Sequence, residues 1–206
     1  MRYIHITEDN IDKEHICCAM SGKQSLAKKK WLMERFDEGL VFYRSEERGK
    51  CFIEYIPAEN AWVPIAADGW LYINCLWIAG SMKGHGYAND LLSECVRDAV
   101  AQKKKGICIL CAEGRKREFL ADPKFLAYKG FMTADISDCG INLMVTSKNP
   151  SIHRSLPFYV FFDPSPQKAR TKCAVFPIFR GKSSQNMEAF SQMGIVIPYI
   201  PLFVSK

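Results

Sequence analysis

The run WLYINCLWIAG (70–80) is apolar on both faces of an extended chain, and it constrains the fold more than any other stretch. A strand of this kind belongs in the middle of a sheet, covered on both sides, and not at an edge. It is followed at once by MKGHGYANDLL, which sets two glycines one residue apart. Beyond them Ala88, Leu91, Leu92, Cys95, Val96, Ala99 and Val100 recur at helical spacing, while Asn89, Asp90, Glu94, Arg97 and Asp98 take the other face. The core of the fold is therefore expected to be a central strand, a glycine loop and an amphipathic helix.

The surrounding sequence supplies partners for that unit. RYIHIT (2–7) alternates like a short strand, and two helices are expected between about 10 and 38, the second carrying Leu26, Trp31, Met33 and Phe36. LVFYR (40–44) and KCFIEYIP (50–57) are rich in aromatic and β-branched residues, and with 70–80 they predict three successive antiparallel strands. After the amphipathic helix, GICILC (106–111) reads as a buried strand. Asp122-Pro123 suits the N-cap and first position of a helix ending at Gly130, and FMTADI and INLMVTS predict a hairpin across Asp138 to Gly140.

From about Lys148 the chain turns Pro- and Ser-bearing, with seven of its ten prolines between Pro150 and Pro201. A boundary is placed there, giving a domain over 1–147 and a small accessory region over 148–206. In that region PFYVFF and IVIPYIPLF suggest strands, and the residues from about Ser184 to Met193 a helix.

With 206 residues, 48% of them hydrophobic, the chain can bury a sizeable core. No apolar run approaches the roughly 20 residues that cross a bilayer, and MRYIHITEDN lacks the features of a signal peptide. No membrane association and a cytoplasmic location are expected. Nine irregularly spaced cysteines, several inside apolar runs, read as reduced core thiols. The formal charge of +6 is modest, and its basic residues are scattered. Lys28-Lys29-Lys30 and Lys103-Lys104-Lys105 read as solvated faces, Arg115-Lys116-Arg117 as a loop that could meet phosphates. An anionic small ligand is expected and a nucleic acid is not, because a nucleic-acid module clusters its charge and interleaves aromatics.

Three phosphate-binding templates can be set against Lys83-Gly84-His85-Gly86-Tyr87-Ala88. A Walker-A loop fails for want of its Lys-Ser/Thr end, and a dinucleotide fingerprint would need glycine where Asn89 stands. The segment resembles the Gln/Arg-x-x-Gly-x-Gly/Ala loop of the GNAT-type N-acetyltransferases, with Lys83 in the first position. CLWIAG, the amphipathic helix, GICILC and FLAYKGF fall in that family's order, so the resemblance covers about residues 1–147. IEYIPAENAW, INCLW and KGHGYANDLL together resemble the subgroup with a YoaP-type C-terminal region.

The resemblance implies a mixed α+β fold, a mostly antiparallel sheet flanked by helices, with acetyl-CoA as co-substrate in a cleft where the sheet splays. Backbone groups of Leu76 and Ile78, on either side of Trp77, would pair with the pantetheine arm like a missing strand. Backbone N–H groups of Lys83, Gly84, His85, Gly86, Tyr87 and Ala88 would hold the pyrophosphate, aided by the helix dipole. A β-bulge in the central strand would fit such a splay.

Direct transfer requires a base for the acceptor amine and a proton for the departing thiolate. Glu54, flanked by apolar residues in FIEYIP, is the candidate catalytic base, with Glu59 second. For the acid, the family often uses a tyrosine five residues before the phenylalanine of Gly130-Phe131; here that position is Leu126, and Tyr128 lies on another helical face. Asn74 and Tyr72 read as hydrogen-bonded residues of a central strand, and Trp62 and Trp70 as residues that could line an acceptor site. Cys108 and Cys111 should point to opposite faces of a strand, so no metal site is expected there or elsewhere. Cys173 reads as a buried thiol.

These expectations combine into an acetyl-CoA-dependent N-acetyltransferase acting on a small-molecule or protein amine. A non-catalytic acyl-CoA-binding sensor on the same fold is the alternative. The oligomeric state is left open, a homodimer being one option.

Overall fold

A computed structural model describes residues 1–16, 22–112, 120–137 and 140–147, with the backbone of 161–162. The elements are β1 (Tyr3–Ile6), α1 (Gly22–Phe36), β2 (Val41–Ser45), β3 (Cys51–Pro57), β4 (Ile65–Ala66), β5 (Leu71–Ile78), α2 (Tyr87–Ala101), β6 (Ile107–Ala112), α3 (Pro123–Tyr128), β7 (Met132–Ile136), β8 (Ile141–Thr146) and β9 (Phe161–Phe162).

Seven strands form one sheet in the order β1-β2-β3-β5-β6-β8-β7, so the two-faced apolar strand β5 is its fourth and central member. Every neighbouring pair is antiparallel except β5 and β6. A parallel pair requires a crossover, and α2 provides it. The expected α+β architecture, with three successive antiparallel strands before the glycine loop, is thus present.

The sheet carries an apolar layer on each face. On one side Leu91, Leu92, Cys95 and Ala99 of α2, with Leu126 of α3, pack on Ile53, Tyr55, Ile73, Ile107 and Ile109. On the other, Trp31 and Leu32 of α1 cover Phe42, Phe52, Ile56, Tyr72 and Leu110. Burying each aliphatic side chain of such a layer contributes about 1.5–3 kcal/mol, which is what fixes both helices to the sheet.

The helical face expected for α1 is rotated. Leu26 is 71% exposed and Met33 is also exposed, whereas Lys28, Trp31 and Leu32 are buried. Trp31 and Leu32 anchor the helix, and Lys28, one turn earlier on the same face, is carried into the sheet with them. The first of the two helices expected before residue 38 is replaced, among the described residues, by hydrogen-bonded turns. Asn10 accepts from Thr7 N at 2.9 Å and donates to His5 O at 2.8 Å, a local arrangement that competes with helix formation.

Asp122 caps α3 by accepting from Lys124 N at 2.8 Å, with Pro123 at the first position. The β7–β8 hairpin forms as expected. In the C-terminal region the backbone of β9 pairs antiparallel with β4, Ile65 facing Phe162 and Ala66 facing Phe161. The remaining tail elements, the Arg115-Lys116-Arg117 run and Cys173 lie outside the described residues. No helix among the described residues is long and apolar enough to cross a membrane.

Candidate functional site

The parallel pairing of β5 with β6 extends over only two register positions, Leu71 with Ile107 and Tyr72 with Cys108. Past that point β5 stays with β3 as far as Cys51 opposite Ile78, while β6 stays with β8 as far as Ala112 opposite Ile141. The sheet therefore opens along the edge that carries Leu76, Trp77 and Ile78. Where it opens, Glu54 faces Cys75 and Tyr55 faces Ile73, leaving Asn74 as an extra residue in β5. Such a bulge strengthens the local twist and turns the strand away from its neighbour.

The glycine loop lies at the end of that edge. After β5 the chain makes a 3-10 turn over Gly80–Met82, held by Ala79 N donating to Lys50 O at 2.8 Å. Gly84 and Gly86 have φ of 84° and 81°, conformations that side-chain-bearing residues rarely adopt. A Cβ built on either glycine would meet nothing within 4 Å, so this side of the loop is open. Gly86 is the N-cap of α2 and offers no side chain to its first turn, which keeps the leading N–H groups and the positive end of the helix dipole available to an anion. His85 and Tyr87 stack with ring centroids 5.4 Å apart. Trp77 is 42% exposed, with Lys50 Nζ 5.8 Å from its ring centroid.

Glu54 stands at the point of divergence, on the α1 face, and is almost fully buried. Its Oε2 lies 2.7 Å from Lys28 Nζ, and its Oε1 accepts from Asn74 Nδ2 at 3.1 Å. The apolar surroundings read from FIEYIP are real, and they contain a counter-charge. The reading of Lys28 as a solvated residue is corrected: spacing was the available signal, since Lys28 falls three and four residues before Trp31 and Leu32.

Glu59 sits apart from this cluster, in a 3-10 turn over Ala58–Asn60. Lys104 Nζ lies 2.5 Å from its Oε1 and Gly69 N donates at 3.4 Å. Burial pushes its carboxyl up, but the hydrogen bonds from Lys104 and the backbone outweigh it, and the net displacement is downward. Leu126, at the position where a proton donor is usual, is fully buried against the α2-side core, and Tyr128 is 83% exposed, on another face as expected. Trp70 is a core side chain, whereas Trp62 is partly exposed and donates to Glu38 at 3.4 Å. Cys108 and Cys111 belong to opposite apolar layers, and no group of three or more metal-ligating side chains occurs among the described residues.

A seven-stranded mostly antiparallel sheet splayed beside a bulge, with a glycine loop opening a helix at the splay, has the fold of the GNAT-type N-acetyltransferases. The chain is 48% identical over 153 residues to the uncharacterized N-acetyltransferase YoaP of Bacillus subtilis (strain 168), covering 72% of this chain and 61% of that protein. The resemblance read from the sequence, including its narrower form, is borne out. This chain spans about three-fifths of the length of that relative. Among solved structures, a GNAT family N-acetyltransferase (YhbS) from Escherichia coli in complex with CoA superposes with a TM-score of 0.53 at 12% identity, over 78% of this chain and 88% of that one. The structure of yncA from Salmonella typhimurium with acetyl-CoA gives 0.50 at 14% identity, over 72% and 94%. At such identities they speak to the fold alone. No family model matches the chain.

Proposed function

We propose that the protein is an acetyl-CoA-dependent N-acetyltransferase that moves the acetyl group by direct transfer to an amine. The observation that carries this reading is the parting of β5 from β6 beyond Tyr72 and Cys108, at the Asn74 bulge, onto an open glycine loop at the N-terminus of α2. The likeness to YoaP supports it.

The pantetheine amides would complete the free edge of β5 at Leu76, Trp77 and Ile78, as a strand would. The backbone N–H groups from Lys83 through Ala88 would take the pyrophosphate, for which Gly84 and Gly86 leave the approach open. Transfer joins the acceptor nitrogen to the thioester carbonyl carbon as the carbon–sulfur bond breaks. Glu54 is the base that takes the amine proton, a role worth about 10²–10⁴ in rate. With Leu126 at the usual donor position, the departing thiolate takes its proton from water. Acceptors are small-molecule amines or protein amines. Residues 1–147 form the catalytic domain and 148–206 an accessory region, in a cytoplasmic protein; Cys51, Cys75, Cys95, Cys108 and Cys111 are joined in no disulfide, in keeping with a reducing compartment.

Calorimetric titration with acetyl-CoA tests the reading, alongside Gly86→Glu, which puts an anion into the pyrophosphate loop, with melting curves on both. Binding by the native protein that the folded variant loses supports it; no binding by either overturns it. A second reading, a sensor that binds acyl-CoA without turnover, draws support from the buried Leu126 and the occupied Glu54 carboxylate. It predicts binding with no thiol release on any amine.

A further inference from the structure

Lys28 carries a charge into the apolar layer between α1 and the sheet. Its side chain is nine-tenths buried, and its Nζ is 2.7 Å from Glu54 Oε2, on a side chain more deeply buried still. The same ammonium sits 3.8 Å from the centroid of the Trp31 ring. Asn74, the bulged residue, holds the other carboxylate oxygen at 3.1 Å. One residue from each of α1, β3 and β5 thus meets where the two halves of the sheet separate.

Stability alone gives little reason for this pair. Removing two charges from water offsets most of their attraction, and apolar side chains of equal volume often serve a core as well or better. What the pair does supply is a carboxylate whose direction is fixed, with a cation beside it. Of its roughly four acceptor positions, Lys28 and Asn74 take two, leaving lone pairs for a further donor.

We infer that Lys28 is a positioning residue of the acetyl transfer, giving Glu54 a counter-charge and keeping it aimed at the Asn74 bulge so that the acceptor's proton has a fixed carboxylate to reach. The inference rests on the N-acetyltransferase reading above and adds a residue that reading does not require. The titratable groups turned toward Glu54 are Lys28 of α1, Cys75 of β5, which is the register partner of Glu54, Tyr72 of the same strand, and Cys108 of β6 behind Tyr72. Burial pushes Tyr72 and Cys108 up, so both stay neutral near pH 7 and Lys28 brings the charge. Without it the carboxylate stays buried and loses its counter-charge, so the pH dependence of the rate is where its removal is to be read.

The test is the pH dependence of kcat/KM for Lys28→Met, Lys28→Gln and Lys28→Arg. Thiol release is followed with a panel of an aliphatic diamine, an aminoglycoside and a lysine-bearing peptide, and acetyl-CoA affinity is measured calorimetrically in parallel. Lys28→Met is expected to move the acid limb upward by about one to three pH units. Acetyl-CoA affinity should stay within about twofold, and Lys28→Arg should return the limb toward the native position. Lys28→Gln keeps a donor beside Glu54 without the charge, so it tests the same shift should the Met variant fail to fold. A uniform loss of rate with an unmoved limb would show a structural role only and overturn the inference while leaving the enzyme reading intact. Native protein that binds acetyl-CoA but acetylates no panel amine, or does not bind it at all, removes the inference together with the reading beneath it.

Discussion

Tyr72 and Cys108 are the last residues at which β5 and β6 run in register, and Asn74 bulges from β5 two residues beyond Tyr72. Because Asn74 is an extra residue, deleting it restores regular alternation without turning Leu76 or Ile78 to the other face. The fold is then expected to survive, within about 2 kcal/mol, while the cleft closes. Acetyl-CoA affinity should fall at least tenfold, about 1.4 kcal/mol. Calorimetry with a denaturation curve checks both, and native affinity in a folded deletion variant would detach the bulge from the cleft.

Glu54→Gln keeps the size of the side chain and a partner for Asn74 or Lys28, but cannot take a proton. Turnover is expected to drop by about 10²–10⁴ with acetyl-CoA binding retained. Unchanged turnover would remove Glu54 as the base and leave the cofactor cleft standing.

Leu126 and Tyr128 should behave oppositely. Leu126 is wholly buried, so Leu126→Tyr overpacks the α2-side core and destabilises by about 1–3 kcal/mol without supplying an acid to the cleft. Tyr128 is 83% exposed, and Tyr128→Phe should leave the rate within about twofold in the same assay. A large loss of rate in Tyr128→Phe would make that hydroxyl the missing donor.

Gly106 fits where no side chain can. A Cβ there would stand 2.3 Å from Thr146 O and 2.7 Å from the Trp70 ring, the first a backbone atom that cannot swing aside. Gly106→Ala is expected to cost about 3 kcal/mol in urea unfolding, since it forces β6 and β8 apart. An alanine variant as stable as the native protein would mean that these strands yield easily.

Glu59 gives a pH dependence whose sign is fixed. Its carboxyl is displaced below the ordinary value of 4.5, so folding favours the ionised form. The stability it contributes is present above the unfolded value and is lost as pH falls through the lower folded one. The side chain is about one-third exposed, so screening limits the pair with Lys104 to about 0.5–1 kcal/mol at neutral pH. Glu59→Gln should be less stable than the native protein at pH 7 and converge with it in acid, as read from urea midpoints across pH 2–7. Parallel curves would show that the pair with Lys104 contributes nothing.

Much of the molecule was readable because it depends on spacing. The two-faced apolar run 70–80 had to be central, Ala88 to Val100 had to be a helix with one apolar stripe, and Gly84 and Gly86 had to be a turn at its head. Local chemistry likewise placed Asp122 and Pro123 at the start of α3. The turns at 7–14 were less legible, since Asn10 bonds to its neighbours in preference to continuing a helix.

The sequence by itself determined most of the strands and helices and the glycine turn at the head of α2. Those properties follow from periodicity and from the conformational limits of single residues. Tertiary structure alone decided that Lys28 is buried, that it meets Glu54 across 26 positions of chain, and that Asn74 is the bulged residue beside them. Each depends on how α1 is rotated against the sheet and on the register of β3 with β5, and those are set by packing between distant elements, which no local pattern encodes.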